Sequence, residues 1–282
     1  SSVGIQNNWI QELQVISGAF NAEYGKAQSG VVNIVTKDGP QSFGGSYSLG
    51  FGDHLSSNKS IFYNIDEVNI NETDNSFEFH GPLRFLNNGS FLVSARQYNS
   101  SGWLFGKNVF HRDDTVPIQQ FIQIAQMNMT DQERLAGIEI PDSLMTGNRE
   151  FVPLNSKKTT SYFSKITLYP FKKLKMTYSL ISNDNKSKSY SNSRRYAPEG
   201  VPTNYNKDIS QILNFNHMLS NKIFYTLSFS NYSNESKLYL YQNELSSNYQ
   251  GIPFSSNGFL FGGTSNSRRN VNNSSSNIKF DL

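Results

Sequence analysis

No cysteine occurs among the 282 residues, so neither a disulfide framework nor a Cys-ligated zinc or iron–sulfur site can form. No run approaches the ~18 consecutive apolar residues of a membrane-crossing helix. That excludes a helical membrane protein and leaves a barrel open, because barrel strands conceal their hydrophobicity by alternation. Charge is scarce as well: 17% of residues carry one, against roughly 25% in ordinary soluble domains. The net charge of +3 gives no electrostatic pull toward a polyanion, and no nucleic-acid partner is expected. What is abundant is aromatic. Phe, Tyr and Trp make up 13% of the chain although mean hydropathy is only −0.53. Ser, Asn and Gly supply much of the rest and favour turns over helix interiors.

The first forty residues read as strand, compact turn, strand. Ile10, Leu13, Val15 and Ile16 form a short apolar stretch ending at Ser17-Gly18. Val31-Val32-Asn33-Ile34-Val35 is a β-branched run bounded by Gly30 and by Asp38-Gly39-Pro40. Between them lies Phe20-Asn21-Ala22-Glu23-Tyr24-Gly25-Lys26-Ala27-Gln28-Ser29, with Gly25 and Gly30 bracketing the turn, where the backbone turns tightly or approaches another segment.

From residue 41 onward the pattern has period 2. Phe43, Gly45, Tyr47, Leu49 and Phe51 alternate with Gly and Ser, Phe77/Phe79 with Glu78 and His80, Phe91/Val93/Ala95 with Leu92, Ser94 and Arg96, and Tyr162/Ser164/Ile166/Leu168 with Phe163, Lys165 and Thr167. The same holds for Leu174/Met176/Tyr178/Leu180, Leu213/Phe215, Tyr225/Leu227/Phe229 and Ile278/Phe280/Leu282. Eight such segments predict an all-β chain with one apolar face. Transmembrane strands need ~9–11 residues of this alternation, so the sets just named are expected to face lipid and their neighbours a lumen. The intervals between segments alternate in length. Short ones are expected at 81–89, 170–173 and 218–221; long ones at 52–74, 99–158, 183–210 and 233–275. Short turns at one end and long loops at the other are the habit of bacterial outer-membrane barrels, with the long loops outside the cell. Tyr47, Phe51, Tyr98, Trp103, Tyr162, Tyr169 and Phe171 lie toward strand ends, where an aromatic girdle would sit.

The ordered set Ile10-Gln-Glu-Leu-Gln-Val-Ile-Ser-Gly18, Ala22-Glu-Tyr-Gly25 and Gly30-Val-Val-Asn-Ile-Val-Thr-Lys37 resembles the end of a TonB-dependent transporter plug domain. Its wording is similar to the subgroup with a carboxypeptidase-regulatory-like N-terminal domain. Gly81-Pro82 followed by Phe91-Leu92-Val93-Ser94 is similar to the family's second hairpin. The resemblance implies the C-terminal part of a plug over residues 1–39. Residues 40–282 would then be the N-terminal part of a transmembrane β-barrel, about eight strands of ~22. It further implies a location in the outer membrane of a Gram-negative-type bacterium. The implied partners are the TonB–ExbB–ExbD energising complex, outer-membrane lipid or lipopolysaccharide, and an extracellular nutrient such as a siderophore, vitamin, oligosaccharide or peptide. Tyr24 resembles a plug aromatic that approaches ligand in some members. The chain opens Ser1-Ser2-Val3 without a leader, and a segment of a longer protein is expected. A passive porin or adhesion/secretion barrel is the first alternative, and a soluble all-β binding module the second.

Other signals carry less. Pro117 to Gln126 has apolar residues near helical spacing and Thr130-Asp131-Gln132-Glu133 matches a capping box, so two short helices are expected in the longest loop. His111-Arg112-Asp113-Asp114 is read as solvated loop charge rather than a metal or acid–base cluster, and Arg194-Arg195 and Arg268-Arg269, in long loops, suit anionic ligands or lipopolysaccharide and ordinary loop solubility equally well. No Ser/His/Asp or paired-carboxylate constellation can be assembled, and no phosphate loop or dinucleotide fingerprint occurs. Neither an enzyme, a cofactor nor a metal site is expected.

Overall fold

A computed structural model describes residues 5–17, 30–84, 86, 89–128, 130, 139–250, 254–256 and 258–282. The chain is mostly β. An N-terminal hairpin pairs β1 (Ile10–Ser17) with β2 (Gly30–Thr36), Leu13 opposite Ile34 and Val15 opposite Val32. A large antiparallel sheet follows. Its members are β3 (Gly44–Gly52), β4 (Glu72–Leu83), β5 (Gly89–Ser100), β8 (Lys157–Phe171), β9 (Leu174–Lys188), β10 (Thr203–Met218), β11 (Phe224–Tyr239) and β14 (Arg269–Asp281). These eight strands stand in chain order, β3 at one edge and β14 at the other. The remaining strands are short pairs within the connections: β6 (Phe105–Lys107) with β7 (Phe151–Pro153), and β12 (Phe254–Ser256) with β13 (Phe259–Phe261).

All eight alternating segments of the sequence fall in this sheet, and the register puts their apolar members on one face. Phe91, Ile166, Tyr178, Leu213, Phe229 and Ile278 are consecutive cross-strand partners in a single row. Because opposite residues share a face, every apolar set lies on the same side. That side is solvent-accessible: Tyr47 is 67% exposed, Phe43 63% and Ile278 73%. Phe43 lies over the bare backbone of Gly81 and stacks against Phe79 at 6.4 Å, so a side chain at Gly81 would collide with its ring. The apolar stretch also slides along successive strands. Relative to the shared row it reaches toward the long loops in β3, as far as Phe51, and toward the short turns in β14, as far as Leu282.

The connections alternate as expected, 84–88, 172–173 and 219–223 against 53–71, 101–156, 189–202 and 240–268. The long ones are shorter than the alternation implied, because β9, β10, β11 and β14 continue as paired strands through polar sequence. Asn183 to Lys188, for example, keeps its ladder with β8 and β10 although no apolar residue remains in it. Backbone pairing propagates without hydrophobic alternation once the neighbouring strand is in place. Only one of the two expected helices can be located: α1 (Thr115–Asn128), with Ile118 and Ile122 buried. The capping-box match at 130–133 lies almost wholly outside the described residues. No helix among the described residues is long and apolar enough to cross a membrane.

Candidate functional site

The sheet's second face carries the N-terminal hairpin, and this junction is built by residues that the sequence does not advertise. A turn of 3-10 helix (Asn7–Trp9) delivers Trp9 into the sheet, where it is 0% exposed. Its ring stacks on Phe163 at 5.3 Å and touches a cluster with Leu92 and Ile181, while its indole N–H donates to Ser94 Oγ at 2.9 Å. These three sheet residues have the opposite strand parity to the apolar face, so the second face is not uniformly polar as expected. Alternation alone labels Leu92, Phe163 and Ile181 as exceptions; their common purpose is to receive one Trp.

Ionic contacts surround that anchor. Asp38 spans Lys165 and Lys175, each Nζ 2.7 Å from a carboxylate oxygen, and Lys165 Nζ also donates to the Thr36 carbonyl at 2.9 Å. Burial pushes the Asp38 carboxyl up, but the two ammonium groups outweigh that and hold it below its ordinary value. Gly39 follows directly, seated so close to the Phe91 backbone that a Cβ would strike its carbonyl. Farther along, Arg96 donates to both Asp74 oxygens, at 2.7 and 2.5 Å, and to Gln6 Oε1. A cleft of about 310 Å³ opens there, lined by Gln6, Arg96, Tyr98, Lys157, Thr159 and Ser161. Tyr98 belongs to this polar face, donating to Glu72 Oε1 at 2.9 Å, and not to an outward girdle; its even number in β5 sets it opposite Phe91 and Val93. Exposed Phe171 is the last residue of β8 and exposed Trp103 lies just past the end of β5, whereas exposed Tyr162 is the sixth of the fifteen residues of β8, away from its ends.

Of the residues singled out in sequence, Tyr24 and Gly25 lie outside the described residues. Gly30 is the first residue of β2, opposite Ser17. Trp9, Asp38, Lys165 and Lys175 were missed. The signal was available in part: Lys165 and Lys175 have the inward parity of their strands, which left two cations seeking an anion.

The four long connections form a joined cap. Phe110, Ile118, Ile122 and Ala197 share a core against which Phe261 packs, Phe110 and Phe261 meeting edge-on at 4.9 Å. Two of the loop charges are structural, contrary to the reading as solvated groups. Asp114 is buried and accepts from His111 N–H at 3.0 Å and from Thr146 N–H and hydroxyl at 2.8 and 2.6 Å. Arg194, 6% exposed, donates to the carbonyls of Gly262 and Gly263 at 3.2 and 2.7 Å. Burial lowers its pKa to about 10, so it stays charged at neutral pH. Arg195 stands over the Tyr63 ring at 4.1 Å and donates to the Ser60 and Ile61 carbonyls, tying in the first loop. Thr115 Oγ1 reaches the Phe261 carbonyl at 2.9 Å.

No protein-family model, curated protein or solved structure matches this chain.

Proposed function

We propose that the chain is part of a TonB-dependent outer-membrane active transporter, comprising the end of its plug (1–39) and the first strands of its barrel (40–282). In this reading a scarce nutrient binds on the loop side and enters the periplasm when the TonB–ExbB–ExbD complex pulls on the plug. The observation that carries it is the oblique apolar band. Its centre moves by about six residues over seven strand-to-strand steps; with ~3.3 Å per residue and ~4.8 Å between strands, that is a tilt of about 30°. A flat slab of lipid crossing strands tilted 35–45° leaves such a mark, whereas a soluble sandwich buries its apolar face under a second sheet.

The other face adds support. A polar wall with an aromatic socket for an N-terminal hairpin suits a lumen filled by a plug. Leu13 and Val15 remain 54% and 64% exposed on that hairpin, an apolar surface for the rest of a plug to cover. The edges of β3 and β14 would be closed by further strands.

The test uses the full-length protein. It is expected to co-sediment with outer membranes, to bind the purified periplasmic domain of TonB, and to hold planar bilayers closed. A steady open conductance would assign a passive porin instead. Solubility without detergent would assign a soluble binding module.

A further inference from the structure

The second face rises from the Trp9 socket toward the long loops through three cross-strand pairs. Beyond Ser94 and Phe163, which receive the Trp9 ring, β5 and β8 set Arg96 opposite Ser161, Tyr98 opposite Thr159 and Ser100 opposite Lys157. All but Ser100, together with Gln6, line the cleft of about 310 Å³, and no carboxylate is among its lining residues. The nearest two, Glu72 and Asp74 on β4, are committed elsewhere. Glu72 accepts from the Tyr98 and Ser100 hydroxyls at 2.9 and 2.8 Å, and Asp74 takes Arg96 Nε and Nη2 at 2.7 and 2.5 Å. That bidentate pair fixes the guanidinium plane. Of its five N–H groups, two go to Asp74 and one to Gln6, which leaves two for another acceptor. Lys157, exposed at the head of β8, forms no ion pair among the described residues; it also edges a second depression at the strand ends. Ser161, 1% exposed, accepts from Gln6 Nε2 at 3.3 Å and donates to no described residue. Ammonium, guanidinium and hydroxyl donors without a carboxylate are the set that holds an oxyanion.

We propose that this cleft binds an oxyanion group, a carboxylate or a phosphate, carried by the nutrient that the protein imports. The inference rests on the transporter reading for the nutrient, and on the cleft alone for the anion. Arg96 offers donors already held in place by Asp74, while Lys157 supplies the positive charge that no described carboxylate cancels. A neutral sugar would cover Lys157 without giving it a counter-charge, and a cationic group would be repelled. The volume equals that of about ten waters, more than one anionic group fills, and the opening beside Lys157 lets the rest of the molecule continue toward the long loops. Gln6 has a double part. It walls the cleft and caps the turn that seats Trp9, its carbonyl accepting from the Trp9 N–H at 3.0 Å. The cleft is complete only with the hairpin seated, so an anion that binds it must stabilise that seat in return.

The full-length protein in mild detergent is titrated with N-acetyl-trialanine, with the C-terminal amide of the same peptide, and with inorganic phosphate, and binding is read by ligand-observed NMR. The free carboxylate or the phosphate is expected to bind about tenfold or more tightly than the amide, and the two anionic arms tell which oxyanion the cleft takes. Lys157→Gln should remove most of that preference and Lys157→Glu all of it. Lys158→Gln, next in the strand but on the opposite face, should keep it. The bound anion should also slow chymotrypsin cleavage within residues 1–39, in the parent and in Lys158→Gln but not in Lys157→Glu. An amide bound as tightly as both anions, or a preference that survives Lys157→Glu, overturns the site. Anion binding that leaves hairpin cleavage unchanged overturns the link through Gln6. If the anion binds as expected while the protein does not bind the periplasmic domain of TonB, the transporter reading falls and the oxyanion site stands.

Discussion

At the scale of single residues, the hairpin is held by two devices of different physics, and each makes its own prediction. Trp9 fills a socket closed by Phe163, Leu92 and Ile181. Trp9→Ala removes a fully buried aromatic, and about 3–5 kcal/mol of docking energy should go with it. Limited proteolysis of the N-terminal 39 residues reads this directly, and an unchanged cleavage rate would deny Trp9 its role. Ser94→Arg should act the same way: the position faces inward yet is covered by Trp9, so it is no open lumen site. The ionic device depends on pH. Folding lowers the Asp38 pKa, so its contribution is complete above the ordinary carboxylate range and vanishes as pH falls through the lowered value. Hairpin cleavage should therefore rise below about pH 4, while Asp38→Asn is cleaved faster at pH 7 and shows little further change on acidification.

At the scale of strands, what could be read in sequence depended on whether neighbours or parity decided the outcome. Every sheet strand was visible through its apolar alternation, and Tyr178 opposite Leu213 opposite Phe229 shows the register that alternation demanded. Strand ends were not visible: Asn183 to Lys188 is polar throughout, and only pairing to β8 and β10 keeps it extended. The hairpin strands were legible from Ile10–Ile16 and Val31–Val35, yet the seat they occupy was not. Trp9 and Asp38 lie just outside those runs, and their partners are more than fifty residues away in sequence. The two faces can be separated by a pair of adjacent substitutions in β11. Leu227→Arg, on the row with Phe215 and Phe280, should cost about 2–4 kcal/mol in lipid. Thr226→Arg, on the opposite face beside Asn216, should cost far less. Folding titrations of the full-length protein in vesicles measure both, and equal penalties would reject the assignment of the faces.

At the scale of the whole molecule, the segregation of loop lengths gives a topology that the missing cysteines make easy to probe, since any introduced thiol is unique within this chain. Leu245→Cys, in the connection 240–268 and 88% exposed, should react with a membrane-impermeant maleimide on intact cells. Lys172→Cys, in the two-residue turn between β8 and β9, should react only after lysis. The reverse pattern would turn the molecule over. The cap on the long-loop side has a consequence of another kind. Arg194 from one connection donates to carbonyls at Gly262 and Gly263 in another, and Arg195 holds a third at Ser60 and Ile61. Exchanging the 240–268 segment alone for a foreign sequence would strand a buried guanidinium and open the Phe110–Phe261 contact. The loops are therefore inherited as a set: a chimera retargeted by grafting should work when the connections are transplanted together, and single-loop grafts should misfold at the cap while the strands beneath still pair.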